Sequence, residues 1–204
     1  YITYSKHLHI FLAFPNIYFS KESPKSEMEN MPSITNEIKN MMGENVSSNI
    51  TPPKRFGAKD ITDLSWKNLL DAYSCSECGR CTSECPPNIT GKKLSPRKIM
   101  MDVRDRADEI GNMIDQKKDY ENKSLIGDYI TKEELFACTT CNACVEACPL
   151  NINPLDIIIE CRRYTALEES SSPSEWNSMF QNIETNFSPW KFPVSDRSNW
   201  TKEE

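Results

Sequence analysis

Two runs of cysteine share one spacing. Cys75, Cys78, Cys81 and Cys85 are followed at once by Pro86, and Cys138, Cys141, Cys144 and Cys148 are followed at once by Pro149. Three thiols spaced three residues apart lie on a tight loop that turns them inward onto three irons of one [4Fe–4S] cube. The fourth leaves with the chain, and the proline behind it fixes φ and removes a backbone donor. Where two such runs share one domain, the fourth cysteine ligates the other cluster. That rule assigns Cys75, Cys78, Cys81 and Cys148 to a first cluster, and Cys138, Cys141, Cys144 and Cys85 to a second. The chemistry of such a pair is the movement of single electrons.

Other uses of cysteine match less well. A secreted disulfide scaffold is shorter, denser in cysteine and usually even in count, whereas this chain has nine cysteines in 204 residues. Structural zinc sites pair two C-x-x-C units across a gap, not three cysteines in seven residues with a fourth before proline. A zinc-binding interaction module without redox function is the alternative of another class. Thiolate ligation also implies a reducing compartment, hence the cytoplasm.

The elements that position these loops read as helices. A helix beginning near Thr62 or Asp63 carries Trp66, Leu69, Leu70 and Tyr73 along one face into the first loop. Ser95-Pro96 forms an N-cap with proline at N1. Ile99, Val103, Ala107 and Ile110 follow at helical spacing, with Gly111 as a stop. Thr131 to Glu134 is a capping box that launches a helix into Cys138. Asn153-Pro154 repeats the cap, and a helix runs from there to about Glu169 with Leu155, Ile158, Ile159 and Arg162 along one stripe. No segment alternates as a strand, so the fold class is mainly α: an α-helical ferredoxin with flexible flanking segments. The expected organisation is an interfacial segment over 1–19, a linker over 20–60, a dicluster domain over 61–169 and an aromatic-containing tail over 170–204. The tail aromatics either pack on their own domain or dock a partner.

The formal charge is −6. Eight thiolates and two oxidised cores of +2 each bring the loaded form to roughly −10. This disfavours nucleic acid, whose phosphates need a basic patch, and favours a positively charged partner face. Residues 1–14 are rich in Tyr and Phe with Lys6 among them, the composition of a membrane–water interface. They are too short an apolar run to span a bilayer, and the expectation is a fragment whose membrane portion precedes Tyr1.

Cys75-Ser-Glu-Cys78-Gly79-Arg80-Cys81, with Thr90-Gly-Lys-Lys-Leu-Ser-Pro-Arg97 after it, resembles the dicluster domain of membrane-bound iron–sulfur oxidoreductases. These are relatives of heterodisulfide reductase and of electron-transfer-flavoprotein:menaquinone oxidoreductases. The second cysteine run and Asn153-Pro154 with Arg162-Arg163-Tyr164 extend the likeness over roughly residues 60–200. The resemblance implies a membrane domain with b haem ahead of the ferredoxin, and a CCG-type iron–sulfur domain after it or as a partner subunit. It implies an electron relay between such a partner, or an electron-transfer flavoprotein, and the membrane quinone at the cytoplasmic face of a bacterial inner membrane. An iron–sulfur subunit of a glycolate or glycerol-3-phosphate dehydrogenase is the alternative that shares the cysteine runs. Tyr4 to His9 resembles the end of a last membrane span. His7 and His9 are therefore expected near a haem or a quinone, although two residues apart on a helix they do not both face one iron; the plainer reading is a pair of interfacial side chains.

Three further features stand beside the cysteine runs. Cys161, mid-helix, reads as a buried small hydrophobe. Lys92, Lys93, Arg97 and Lys98 form a basic cluster, either a solvated helix start or a shield for cluster charge. Gly79 and Gly91 permit turns near sulfur, where amide donors raise a cluster's potential. No nucleophile–base pair, phosphate loop or paired carboxylate is legible, so no complete active site is expected.

Overall fold

A computed structural model describes residues 5, 7–24, 27–28, 30–44, 53–120 and 122–202. Tyr4 and Lys6 lie outside the described residues. The chain divides into two compact units, residues 1–164 and 165–204. Both are built from helices. Among the described residues the β structure is one isolated bridge between Ile126 and Ile130, in agreement with the mainly helical expectation.

In the first unit, α1 (Leu8–Tyr18), α2 (Pro32–Met41) and α3 (Trp66–Ser74) precede the first cysteine loop. The loop contains α4 (Arg80–Ser83), and α5 (Pro86–Ile89) leads to α6 (Pro96–Asp115). An irregular turn over Leu125–Tyr129 and α7 (Lys132–Ala137) enter the second loop, which contains α8 (Ala143–Glu146) and opens into α9 (Pro154–Leu167). The core forms around α6, whose Ile99, Met100 and Val103 are buried with Leu125, Ile130, Leu135, Ile157, Ile158 and Cys161. Each such aliphatic side chain contributes about 1.5–3 kcal/mol by leaving water.

Caps place these helices where the sequence pattern puts them. Ser65 and Asn68 form a capping box on α3, Thr131 and Glu134 one on α7, and Ser95 Oγ accepts from the Lys98 N–H at 3.3 Å to open α6. Asn153 Oδ1 accepts from Asp156 N–H at 3.1 Å.

Four details depart from expectation. The helix that enters the first cysteine loop, α3, starts at Trp66, because Asp60 and Asp63 close a 3-10 turn over Ile61–Asp63 ahead of it. Trp66 faces outward and meets the Phe19 ring edge-on, with centroids 5.3 Å apart. α6 runs through Gly111 to Asp115; a lone glycine costs a helix only about 1 kcal/mol, and the buried face already formed offsets it. The segment read as a linker contains α2, where proline at N1 starts a helix with Ile34, Ile38 and Met41 on one side and none of its residues buried.

A cationic side chain stands inside the core. Arg106 is fully buried and donates to Asp60 through Nε and Nη2, to Glu109 through Nη1 at 2.9 Å, and to the Tyr120 carbonyl at 2.9 Å. α6 is thereby fastened to the 3-10 turn and to the loop that follows it. Asn16 pins α1, donating to the Leu150 carbonyl at 3.0 Å and accepting from Lys67 Nζ at 2.9 Å.

The second unit contains the last residues of α9, then α10 (Ser174–Asn186) and a 3-10 segment over Val194–Thr201. Phe187 ends α10 in the left-handed region at φ 54°.

Candidate metal centres

The two cysteine loops are copies of one backbone form. Each follows a capped helix, and Cys75 and Cys138 end those helices in extended geometry, at φ −66° in both. Two residues on, Glu77 and Thr140 have φ of 57° and 56°. Two further on, Gly79 and Asn142 have φ of 82° and 62° and start the four-residue helices α4 and α8. These left-handed residues turn the chain around the sulfurs. Thr140 N–H donates to Cys138 Sγ at 3.4 Å, and Glu77 N–H donates to Cys75 in the same way. Asn88 N–H reaches Cys85. Donors aimed at sulfur stabilise negative charge there.

Cys148 does not stay with its own run. It lines one small, mostly apolar cavity with Cys75, Cys78 and Cys81, walled by Gly79, Met100 and Ile152. Cys85, in turn, has Cys138 and Cys141 as its sulfur neighbours, and Cys144 has Cys138, Cys81, Cys85 and Cys141. The exchange is possible because α4 packs on α8, with Cys81 against the buried Cys144, Val145 and Leu155. Cys78 and Cys141 are exposed at the outer edge of each loop.

Bare thiolates are disfavoured here. Burial pushes the thiols of Cys75, Cys85 and Cys138 up, Cys81 to about 11 and Cys144 to about 12, and neighbouring sulfur charges add to it. A cationic iron–sulfur core reverses that balance, since metal charge deprotonates a coordinating thiol outright. Among the described residues no three His, Cys, Asp or Glu side chains are gathered for a single ion; Cys75, Cys78, Cys81 and Cys148 line one cavity. Four soft donors around one mostly apolar cavity, with amides directed at sulfur, fit a cluster.

Two arginines hold the loops. Arg162 on α9 donates to the carbonyls of Leu135 at 2.6 Å and Cys138 at 2.5 Å, clamping the end of α7. Arg104 on α6 pairs with Glu77 at 2.6 Å, fixing the residue whose N–H serves Cys75. Arg162 was legible as part of the α9 stripe. Arg104 had no signal in the sequence, because its partner lies in a loop of unforeseen shape.

The remaining candidates lie apart. Cys161 is buried in the core, its thiol pushed to about 12 by burial, and does not line the cavity of the four cysteines. Lys93 pairs with Glu133, and Lys98 with Asp102 and Glu134. His9 lines a groove with Tyr73, Cys75, Glu77, Arg104 and Asp108. His7 precedes α1 at an exposed position and is not in that groove.

Residues 74–152 match the family described as the 4Fe–4S dicluster domain. The chain is 32% identical over its whole length to the probable iron-sulfur-binding oxidoreductase FadF of Bacillus subtilis, covering 31% of that protein. It is 32% identical over 76% of its length to the EtfAB:quinone oxidoreductase of Syntrophomonas wolfei, covering 25% of it. It is also 35% identical, over 54% of its length, to one component of the ferredoxin/F(420)H(2)-dependent CoB-CoM heterodisulfide reductase of Methanosarcina acetivorans, covering 56% of that component. The chain thus spans under a third of the first two relatives. A further relative, of Chromohalobacter salexigens, is a probable membrane-anchored ferredoxin; among the described residues here no helix is long and apolar enough to cross a membrane. The chain is a member of this group of iron–sulfur electron-transfer oxidoreductases and carries their helical 4Fe–4S dicluster domain over residues 74–152.

Proposed function

We propose that Cys75, Cys78, Cys81 and Cys148 ligate one [4Fe–4S] cluster and Cys138, Cys141, Cys144 and Cys85 the other. In this reading the pair relays electrons between a flavoprotein or CCG-type iron–sulfur partner and the membrane quinone. The observation that carries the reading is the cavity shared by Cys148 and the first three cysteines. A cluster, when bound, takes up and releases one electron at a time. The protein supplies ligation, amide donors from Glu77, Thr140 and Asn88, and a mostly apolar wall. The exposed Cys78 and Cys141 give each loop an edge for exchange with a partner.

The membrane side of the reading rests on α1. Ile10, Phe11, Phe14, Ile17 and Tyr18 are exposed along it, an aromatic face suited to a bilayer interface. Asn16 ties that helix to Leu150 beside the second cysteine run. A b haem in a membrane portion ahead of Tyr1, with His7 or His9 near it or near the quinone, belongs to the same proposal, as does a position on the cytoplasmic face of a bacterial inner membrane. The relationship to the quinone oxidoreductase and to the membrane-anchored ferredoxin supports its quinone and membrane parts.

The test uses anaerobically prepared native membranes containing the protein. Quinone reduction driven by a reduced electron-transfer flavoprotein is expected, and Cys78→Ser or Cys141→Ser should abolish it. Unchanged quinone reduction in both variants would rule out the relay. Stoichiometric zinc without visible absorbance would rule out the clusters themselves.

A further inference from the structure

We infer that Arg97 sets the reduction potential of the centre held by Cys75, Cys78, Cys81 and Cys148, raising it by direct charge. The inference rests on the ligand reading above.

Arg97 occupies the first turn of α6, a 20-residue helix with no acidic residue in that turn. The helix dipole disfavours a cation there. Its neighbour Lys98 answers this with Asp102 and Glu134. Among the described residues Arg97 has no carboxylate partner; its own N–H donates to Thr82 Oγ1 at 3.3 Å, and Thr82 Oγ1 lies 2.9 Å from Ser95 Oγ. These contacts fix the start of α6 to the residue after Cys81. The guanidinium then lines the cavity of the four cysteines.

It comes into ordinary contact distance of Gly79. A methyl group built there would lie 3.8 Å from Arg97 Nη1. At the matching place in the second loop stands Asn142, whose side-chain oxygen is buried without a hydrogen-bond partner. The cation near that loop, Arg162, is spent on the carbonyls of Leu135 and Cys138. Around the first centre, Arg104 is neutralised by Glu77. Arg80 also lines the cavity, but it belongs to the cysteine loop, so Arg97 is the cation that can be changed without rebuilding the ligand set.

Four thiolates on a +2 core carry a net charge of −2, and one-electron reduction takes it to −3. A fixed cation stabilises the second state more than the first, so it favours reduction.

The experiment is an anaerobic redox titration of the full chain followed by electron paramagnetic resonance, with iron counted in every variant. Arg97→Gln should retain about eight irons and shift one midpoint potential downward. A tenfold change in that centre's reduction equilibrium reads as 59 mV. The other centre should not move. Arg97→Lys should restore most of the shift, and Arg97→Glu should enlarge it. The centre that moves should be the one whose spectrum Cys78→Ser alters. Loss of one cluster in both Arg97→Gln and Arg97→Glu would assign Arg97 a structural role and overturn the inference. Full iron with both potentials unmoved would overturn it while leaving the ligand reading intact. Absence of iron from the unmodified chain would instead remove the ligand reading.

Discussion

Arg106 Nη2 lies 2.7 Å from Asp60 Oδ2, and Arg106 Nε lies 3.1 Å from Asp60 Oδ1, with the arginine side chain fully buried. This two-point pair joins the middle of α6 to the turn ahead of the first cysteine helix. Removing one partner of a buried pair leaves an uncompensated charge and costs about 3–5 kcal/mol. Arg106→Ala is therefore expected to lower the unfolding free energy in urea by that amount. Arg106→Ala with Asp60→Ala should cost less than the sum of the single changes, which a double-mutant cycle measures.

Glu109 accepts from Lys123, Tyr129 and Arg106. Led by Lys123, these donors hold its carboxyl at about 2. A carboxylate lowered on folding binds protons more readily in the unfolded chain, so its stabilising effect is present above the ordinary carboxylate range. It is lost as pH falls through that range toward 2. Glu109→Gln should flatten the loss of stability between about pH 4.5 and 2, read by circular dichroism against the unmodified protein.

Gly57 has φ of 70°, and a Cβ there would lie 2.3 Å from the Glu160 carbonyl oxygen and 2.4 Å from Tyr164 N. The neighbouring Ala58 N–H donates to that same carbonyl at 3.0 Å. Gly57→Ala must push the segment off α9 and adopt a strained backbone, so a loss of about 2–4 kcal/mol is expected by denaturation. Gly111→Ala, where nothing lies within 4 Å, should instead stabilise α6 by up to about 1 kcal/mol.

Cys85→Ser should damage the centre of the second run, and Cys148→Ser the centre of the first, read by iron count and by the spectrum each variant retains. A variant spectrum showing each run closing on its own cluster would contradict the exchange. Cys161→Ser should leave iron unchanged while costing about 1–3 kcal/mol, because it buries a hydroxyl in an apolar core. Removing iron by chelation should loosen both loops together, since in the proposed assignment each centre takes a ligand from both.

The cysteine runs, the caps at Ser95, Thr131 and Asn153, and the helical character of the described residues were determined by the sequence alone. Ligand spacing, capping chemistry and helical periodicity are local: a few residues decide them, wherever the chain later goes. The likeness of the two loops was also there to read, although their left-handed residues were foreseeable only at Gly79. Nothing local marked Glu77 or Thr140, because non-glycine residues take that conformation only when surrounding contacts hold them. Three relationships depended on tertiary structure. Cys148 joins Cys75 because α4 packs on α8, Arg106 is buried because Asp60 folds back over it, and Arg97, without a carboxylate partner among the described residues, starts an α6 fixed at Thr82. Charge and burial act through space, so a basic residue that reads as a solvated helix start in the sequence becomes, in the fold, a cation on the wall of a four-cysteine cavity.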